Sequence, residues 1–202
     1  MKKLLIAFVA ALTLAFSVTG CLEDKVLEVV ATGETFADFE EFHTSATWNN
    51  PDTIDVADEI RKILKDNGYN LSDVKDAKLV GAAYGVTSFT QDGDWQITGS
   101  ITVARTDVAS GSPTLLNYSS QSVAGALGQK IPASLNGAGV TLINTALADF
   151  LAGGSPALEF TINNGAVDPV PTPQDPIEFD WRAWITFHIV IDQTVENVPD
   201  PF

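Results

Sequence analysis

The stretch Ile177–Asp192, IEFDWRAWITFHIVID, alternates without a break. Ile177, Phe179, Trp181, Ala183, Ile185, Phe187, Ile189 and Ile191 fall on one side. Glu178, Asp180, Arg182, Trp184, Thr186, His188, Val190 and Asp192 fall on the other. A period of two is that of a β-strand with one buried face. Held straight, the run would span about 50 Å at ~3.3 Å per residue. The fold then turns on which medium meets the apolar face, lipid or a protein core.

A membrane barrel needs at least about eight closed strands of ~9–11 residues. The chain offers about seven strand-like segments, interrupted by two helical patterns. Phe202 is similar to the terminal aromatic of bacterial barrels, but Pro199 and Pro201 deny it a regular strand. The apolar face therefore predicts a core. The expected fold is mainly β: an antiparallel β-sandwich with two short amphipathic helices, at about 55–66 and 139–152, covering an end or part of a face. Trp184 and Val190 on the outer side suggest that a helix lies over part of that face, and so long a strand is expected to bend or bulge.

Working outward, residues 26–31 (VLEVVA) are strand-like, and 34–48 reads as a bulged strand despite Phe36, Phe39 and Phe42 at helical spacing. Asn50-Pro51-Asp52 reads as a turn. Asp55 can cap a helix whose Val56, Ile60, Ile63 and Leu64 share one face and which Gly68 ends. Residues 76–90 form a strand with Gly81, Ala82, Ala83 and Gly85 at its centre, and Gln91–Asp94 turns it into 95–108, where Trp95, Ile97, Ile101 and Val103 alternate with polar residues. That pair predicts a β-hairpin. TLLNYSSQSV reads as an edge strand and 125–137 as a loop. Val140, Ile143, Leu147, Phe150 and Leu151 stripe the second helix. ALEFTI, 157–162, is a strand ending at an Asn163-Asn164-Gly165 turn, and four prolines stiffen 168–176. Residues 198–202 carry two prolines and are not expected to pair.

The first residues, MKKLLIAFVAALTLAFSVTGC, place Lys2 and Lys3 before an apolar run from Leu4 to Val18, short of the ~20 residues of a membrane span. The run ends in Val18-Thr19-Gly20-Cys21, which resembles the lipobox of bacterial lipoproteins. The resemblance covers the first 21 residues only. It implies thioether lipidation of Cys21, cleavage after Gly20 and acylation of the new amino terminus. Acyl chains there would hold the protein to the membrane. Leu22 stands where an aspartate would resemble the inner-membrane retention signal, so the resemblance favours the outer membrane. The organisation expected is residues 1–20 as a lipoprotein signal peptide, 21–25 as lipidated cysteine and short tether, and 26–202 as a single sandwich domain.

Cys21 is the only cysteine, which excludes disulfides and cysteine-based metal sites. The formal net charge is −15, and loss of Lys2 and Lys3 takes it to −17. Such a surface repels nucleic acid, and no nucleic-acid partner is expected. No G-x-S-x-G elbow, H-E-x-x-H, P-loop or Rossmann fingerprint is present. His43 and His188 lie far apart in sequence, and neither Asp92-Gly93-Asp94 nor Asp52, Asp55 and Asp58 match the EF-hand spacing. No metal, cofactor or catalytic residue is assigned. The candidate binding face is the outward row Arg182, Trp184 and His188, where an exposed Trp beside Arg would suit an envelope protein or a glycan. Packing of Trp184 under a helix or loop is the competing expectation. Together these features describe a lipid-anchored envelope lipoprotein, a structural or binding module. The alternatives are a carrier of apolar ligands, which would need a cavity between the sheets, and a hydrolase, which would need convergent carboxylates in a pocket.

Overall fold

The computed structural model describes residues 25–195, with side chains described for residues 28–192. The lipobox, the tether to Asp24 and the Pro-containing tail lie outside the described residues. The elements are β1 (Lys25–His43), β2 (Thr47–Asp55), α1 (Val56–Asp66), β3 (Val74–Phe89), β4 (Gln96–Arg105), β5 (Thr114–Ser122), α2 (Val123–Ala126), β6 (Ile131–Pro132), α3 (Gly137–Leu151), β7 (Ala157–Asp168) and β8 (Ile177–Val195). Two antiparallel four-stranded sheets pack face to face, the first in the order β1-β8-β3-β6 and the second in the order β2-β7-β4-β5. The expected sandwich is what forms.

The alternating stretch lies at the heart of the first sheet. Every odd residue of β8 from Ile177 to Ile191 is buried, and no even one is. β8 pairs with β1 residue for residue, from Lys25 opposite Val195 to His43 opposite Ile177, with no register shift. The expected irregularity falls on β3 instead, at three places along its pairing with β8. There the extra residues Lys75, Val80 and Thr87 are pushed outward and exposed, which returns Ala77, Leu79, Ala82, Tyr84 and Val86 to the core face. The Val80 bulge is fixed from within: the Leu79 amide donates to Asn144 Oδ1 of α3 at 2.9 Å.

α1 begins where the Asp55 carboxylate accepts from the Asp58 amide at 3.0 Å, as the capping pattern predicts. Its buried Val56, Ile60, Ile63 and Leu64 join the common core. Gly33, on the inner side of β1, has no side chain because Ile63 fills that space. Asn136 caps α3, whose Ile143, Leu147 and Phe150 are buried. Both long helices thus insert into the core rather than lie over the outer face of the first sheet.

Four expectations fail for identifiable reasons. The stretch 76–108 is not a hairpin: β3 belongs to the first sheet and β4 to the second, so Gln91–Asp94 carries the chain across the sandwich. A turn signal reports that the chain reverses, not whether the two arms pair side by side or face each other. Asn50-Pro51-Asp52 is strand, not turn, because β2 is an edge strand and an edge tolerates a residue without an amide proton. Asn163-Asn164-Gly165 is a bulge inside β7, with Asn164 in the left-handed region at φ 51° and its amide held by Asn49 Oδ1 at 3.1 Å. The 125–137 loop contains β6 and the end of the four-residue α2. β6 and its flanks are bound to β3 through Gly128 N–H to the Val86 carbonyl and Ala133 N–H to the Ala82 carbonyl, each at 2.9 Å.

Candidate functional site

The outer face of the first sheet assembles its polar row from three places. β8 supplies Arg182, Trp184 and His188 from its even positions, with Thr186 between the last two. The β1 register sets Asp38 opposite Arg182, Phe36 opposite Trp184, Glu34 opposite Thr186 and Thr32 opposite His188. The segment leading into β6 adds Lys130.

Arg182 is the centre of this group. Its Nε and Nη2 donate to the two Asp38 carboxylate oxygens at 2.5 and 2.7 Å, a bidentate pair. Its guanidinium carbon sits 3.6 Å from the centroid of the Phe36 ring and 6.0 Å from that of Trp184. Lys130 Nζ stands 5.5 Å from the Trp184 ring centroid and pairs with Glu34. Trp184 is therefore half-buried beneath two cations, with Phe36 beside it. Among the described residues no helix covers it, but Lys130 of the segment leading into β6 lies over it, so it is not a free stacking platform. A ligand that stacked on it would first displace Lys130 or Arg182.

His188 is exposed and separated from this group by Thr186, about 13 Å along the strand from Trp184. The structure joins Arg182 to Trp184 and leaves His188 apart. Phe36, Asp38, Glu34 and Lys130 were not singled out by sequence. The even positions of β1 carried a signal, since they alternate against buried odd neighbours, but their pairing with β8 spans more than a hundred residues and is set only in the folded sheet.

A second polar cluster lies inside the sandwich, at its end near the β1–β2 crossing. Glu41 is 2% exposed. Its carboxylate receives His43 Nε2 at 2.6 Å and Asn50 Nδ2 at 3.1 Å. The His43 ring stacks on Trp48 with centroids 4.2 Å apart. Trp181 meets Phe39, Tyr84 and Tyr118 at centroid distances of 5.6, 6.2 and 4.8 Å. Two glycines of the second sheet make room for this aromatic end. A side chain at Gly99 would collide with the Tyr118 hydroxyl, and one at Gly165 with the Trp48 indole. Burial, with smaller contributions from the Glu41 and Tyr84 charges, pushes the Tyr118 phenol far above its ordinary range. The Tyr118 hydroxyl and the indole N–H groups of Trp48 and Trp181 are buried without hydrogen-bond partners among the described residues.

A surface cavity of about 370 Å³ opens at the C-terminal end of α1, lined by Arg61, Leu64, Lys65, Tyr69, Asn70 and neighbours and by no carboxylate. Arg61 there also pairs with Asp58 at 2.8 Å and lies over the Phe150 ring at 5.2 Å.

No protein-family model and no curated protein matches the chain. Among solved structures, a chain of Desmodium yellow mottle tymovirus is similar over 99% of both chains, at 11% identity and a TM-score of 0.35. That level of likeness carries no argument about function.

Proposed function

We propose that the chain is a lipid-anchored, non-enzymatic structural or binding module of the bacterial cell envelope, held at the outer membrane by acyl groups on Cys21. The observation that carries the reading is the Lys2-Lys3 and apolar run ending in Val18-Thr19-Gly20-Cys21. The fold is compatible with it: β1 starts at Lys25, four residues after Cys21, so the sandwich would stand close to the bilayer. The outer face of the first sheet, around Arg182 and Trp184, is the surface offered to an envelope protein or glycan.

The anchor is tested by replacing Cys21 with Ala in cells fed a clickable fatty acid. The natural chain takes up label and sediments with membranes, whereas Cys21→Ala loses both properties. Label and membrane association that persist in the variant overturn the proposal.

A further inference from the structure

β1 is an edge strand, and its free edge is long, regular and uncovered over half its length. The Asp38 amide donates away from β8, to Asp52 Oδ2 at 3.0 Å, and the Glu40 carbonyl accepts from Asn50 Nδ2 at 3.2 Å. Amides alternate in direction along a strand, and β1 has no register shift against β8, so the outward edge is that of the even residues. Side chains from β2 satisfy it at Asp38 and Glu40. From Glu28 to Phe36 the outward N–H and C=O groups of Glu28, Val30, Thr32, Glu34 and Phe36 have no partner among the described residues.

Natural edges are commonly blunted by bulges, by proline, by charged side chains (lysine above all) or by a covering element. Between Val26 and His43 β1 has no proline and no lysine, and its outward carboxylates other than Glu40 are paired across the sheet. Glu28 pairs with Lys75 at 2.9 Å, Glu34 with Lys130, and Asp38 with Arg182.

We infer that this edge pairs with the same edge of a second copy of the chain, antiparallel about a two-fold axis at Thr32. The open window is symmetric about that residue. Antiparallel pairing centred there sets Thr32 opposite Thr32, Val30 opposite Glu34 and Glu28 opposite Phe36. No carboxylate faces a carboxylate, and all five residues are of the outward-bonding kind, so each facing pair can exchange two hydrogen bonds. Identical threonines facing each other also make a favourable cross-strand pair. The product is one continuous sheet in which β1 is no longer an edge, and the contact is self-complementary, as a closed dimer requires.

Two measurements test this on the full-length chain. In the natural chain, sedimentation velocity at micromolar concentration gives a dimer. In a Cys21→Ala background, Thr32→Cys provides the sole thiol. Hydrogen-bonded antiparallel partners stand about 5.5 Å apart at Cα, within disulfide reach. Mild oxidation then converts most of the Thr32→Cys chain to a covalent dimer, while His188→Cys, one strand inward, stays monomeric. Thr32→Pro, whose lost amide proton points away from β8, shifts the natural dimer to monomer. A monomer by sedimentation with no Thr32→Cys dimer overturns the inference. So does equal crosslinking at positions 32 and 188, which marks nonspecific contact.

Discussion

Tyr118 shows how one side chain can be retained against its own polarity. Its ring is held between Tyr84 and Trp181 and covers Gly99, while its hydroxyl, nearly dehydrated, finds no hydrogen-bond partner among the described residues. An unmet buried hydroxyl costs about 1–3 kcal/mol, so removing it while keeping the ring costs little or gains. Tyr118→Phe is expected to leave stability unchanged or raise it by about 1 kcal/mol in urea unfolding. The phenol pKa is raised in the folded state, so the unfolded chain releases this proton first. Stability therefore falls as pH climbs above the ordinary tyrosine value of about 10. That alkaline loss should be smaller in Tyr118→Phe, measured as the stability difference between pH 8 and pH 10.5. Equal alkaline losses in the two proteins would mean that the hydroxyl is not protected as the fold implies.

At the scale of elements, β3 is where neighbouring backbones come closest. A Cβ on Gly85 would stand 1.9 Å from the carbonyl oxygen of Gln129, a main-chain atom held by the bonds that tie β6 to β3. Gly85→Ala must push that segment off the sheet, at a cost of about 1–3 kcal/mol, whereas Gly111→Ala meets open space and should change the unfolding midpoint hardly at all. Comparable losses for both would show that the 128–133 segment is not packed as described. The run of small residues Gly81, Ala82, Ala83 and Gly85 is a sequence signal compatible with such a close approach, but it does not say what approaches. The same division runs through the fold. β8, α1 and the core face of β4 were legible because one periodicity and one cap decide each of them locally. The hairpin reading of β3 and β4 failed because partner choice is long-range: β8 occupies one side of β3, and β7 one side of β4. At the candidate face, Arg182 and Trp184 could be named from β8 alone. Asp38, Phe36 and Lys130, which decide whether those two side chains are free, reach them only through register. The Glu41 cluster was hidden for another reason. A carboxylate at an odd position of a strand reads as surface until His43 and Asn50 are seen to close over it.

At the scale of the whole molecule, charge is the unbalanced quantity. Twenty-six acidic side chains face eleven basic ones, and several outward carboxylates near the β8 start, among them Glu40, Glu178 and Asp180, have no cation within salt-bridge distance among the described residues. Compacting such a chain works against its own repulsion. Raising ionic strength from about 10 to 150 mM shortens the screening length from about 30 to 8 Å. The melting temperature at pH 7 should therefore rise over that range. A fall would mean that the ion pairs of Arg182 with Asp38, of Arg105 with Asp107 and Asp149, and of Lys75 with Glu28 outweigh the net repulsion.

The position of β8 sets an order of events for the nascent chain. It separates β1 from β3, yet it is the last of the eight described strands to be synthesised. Until residues 177–195 are available, β1 has no neighbour to join and β3 has only the two-residue β6, however long the earlier segments have been outside the ribosome. The second sheet likewise lacks one of its two inner strands, β7, until late, although β4 and β5 can pair earlier. Such a topology keeps the first sheet uncommitted until late in elongation, because its decisive pairings are also its most distant in sequence. A premature stop anywhere before Ile177 therefore leaves the first sheet with at most the short β3–β6 pairing.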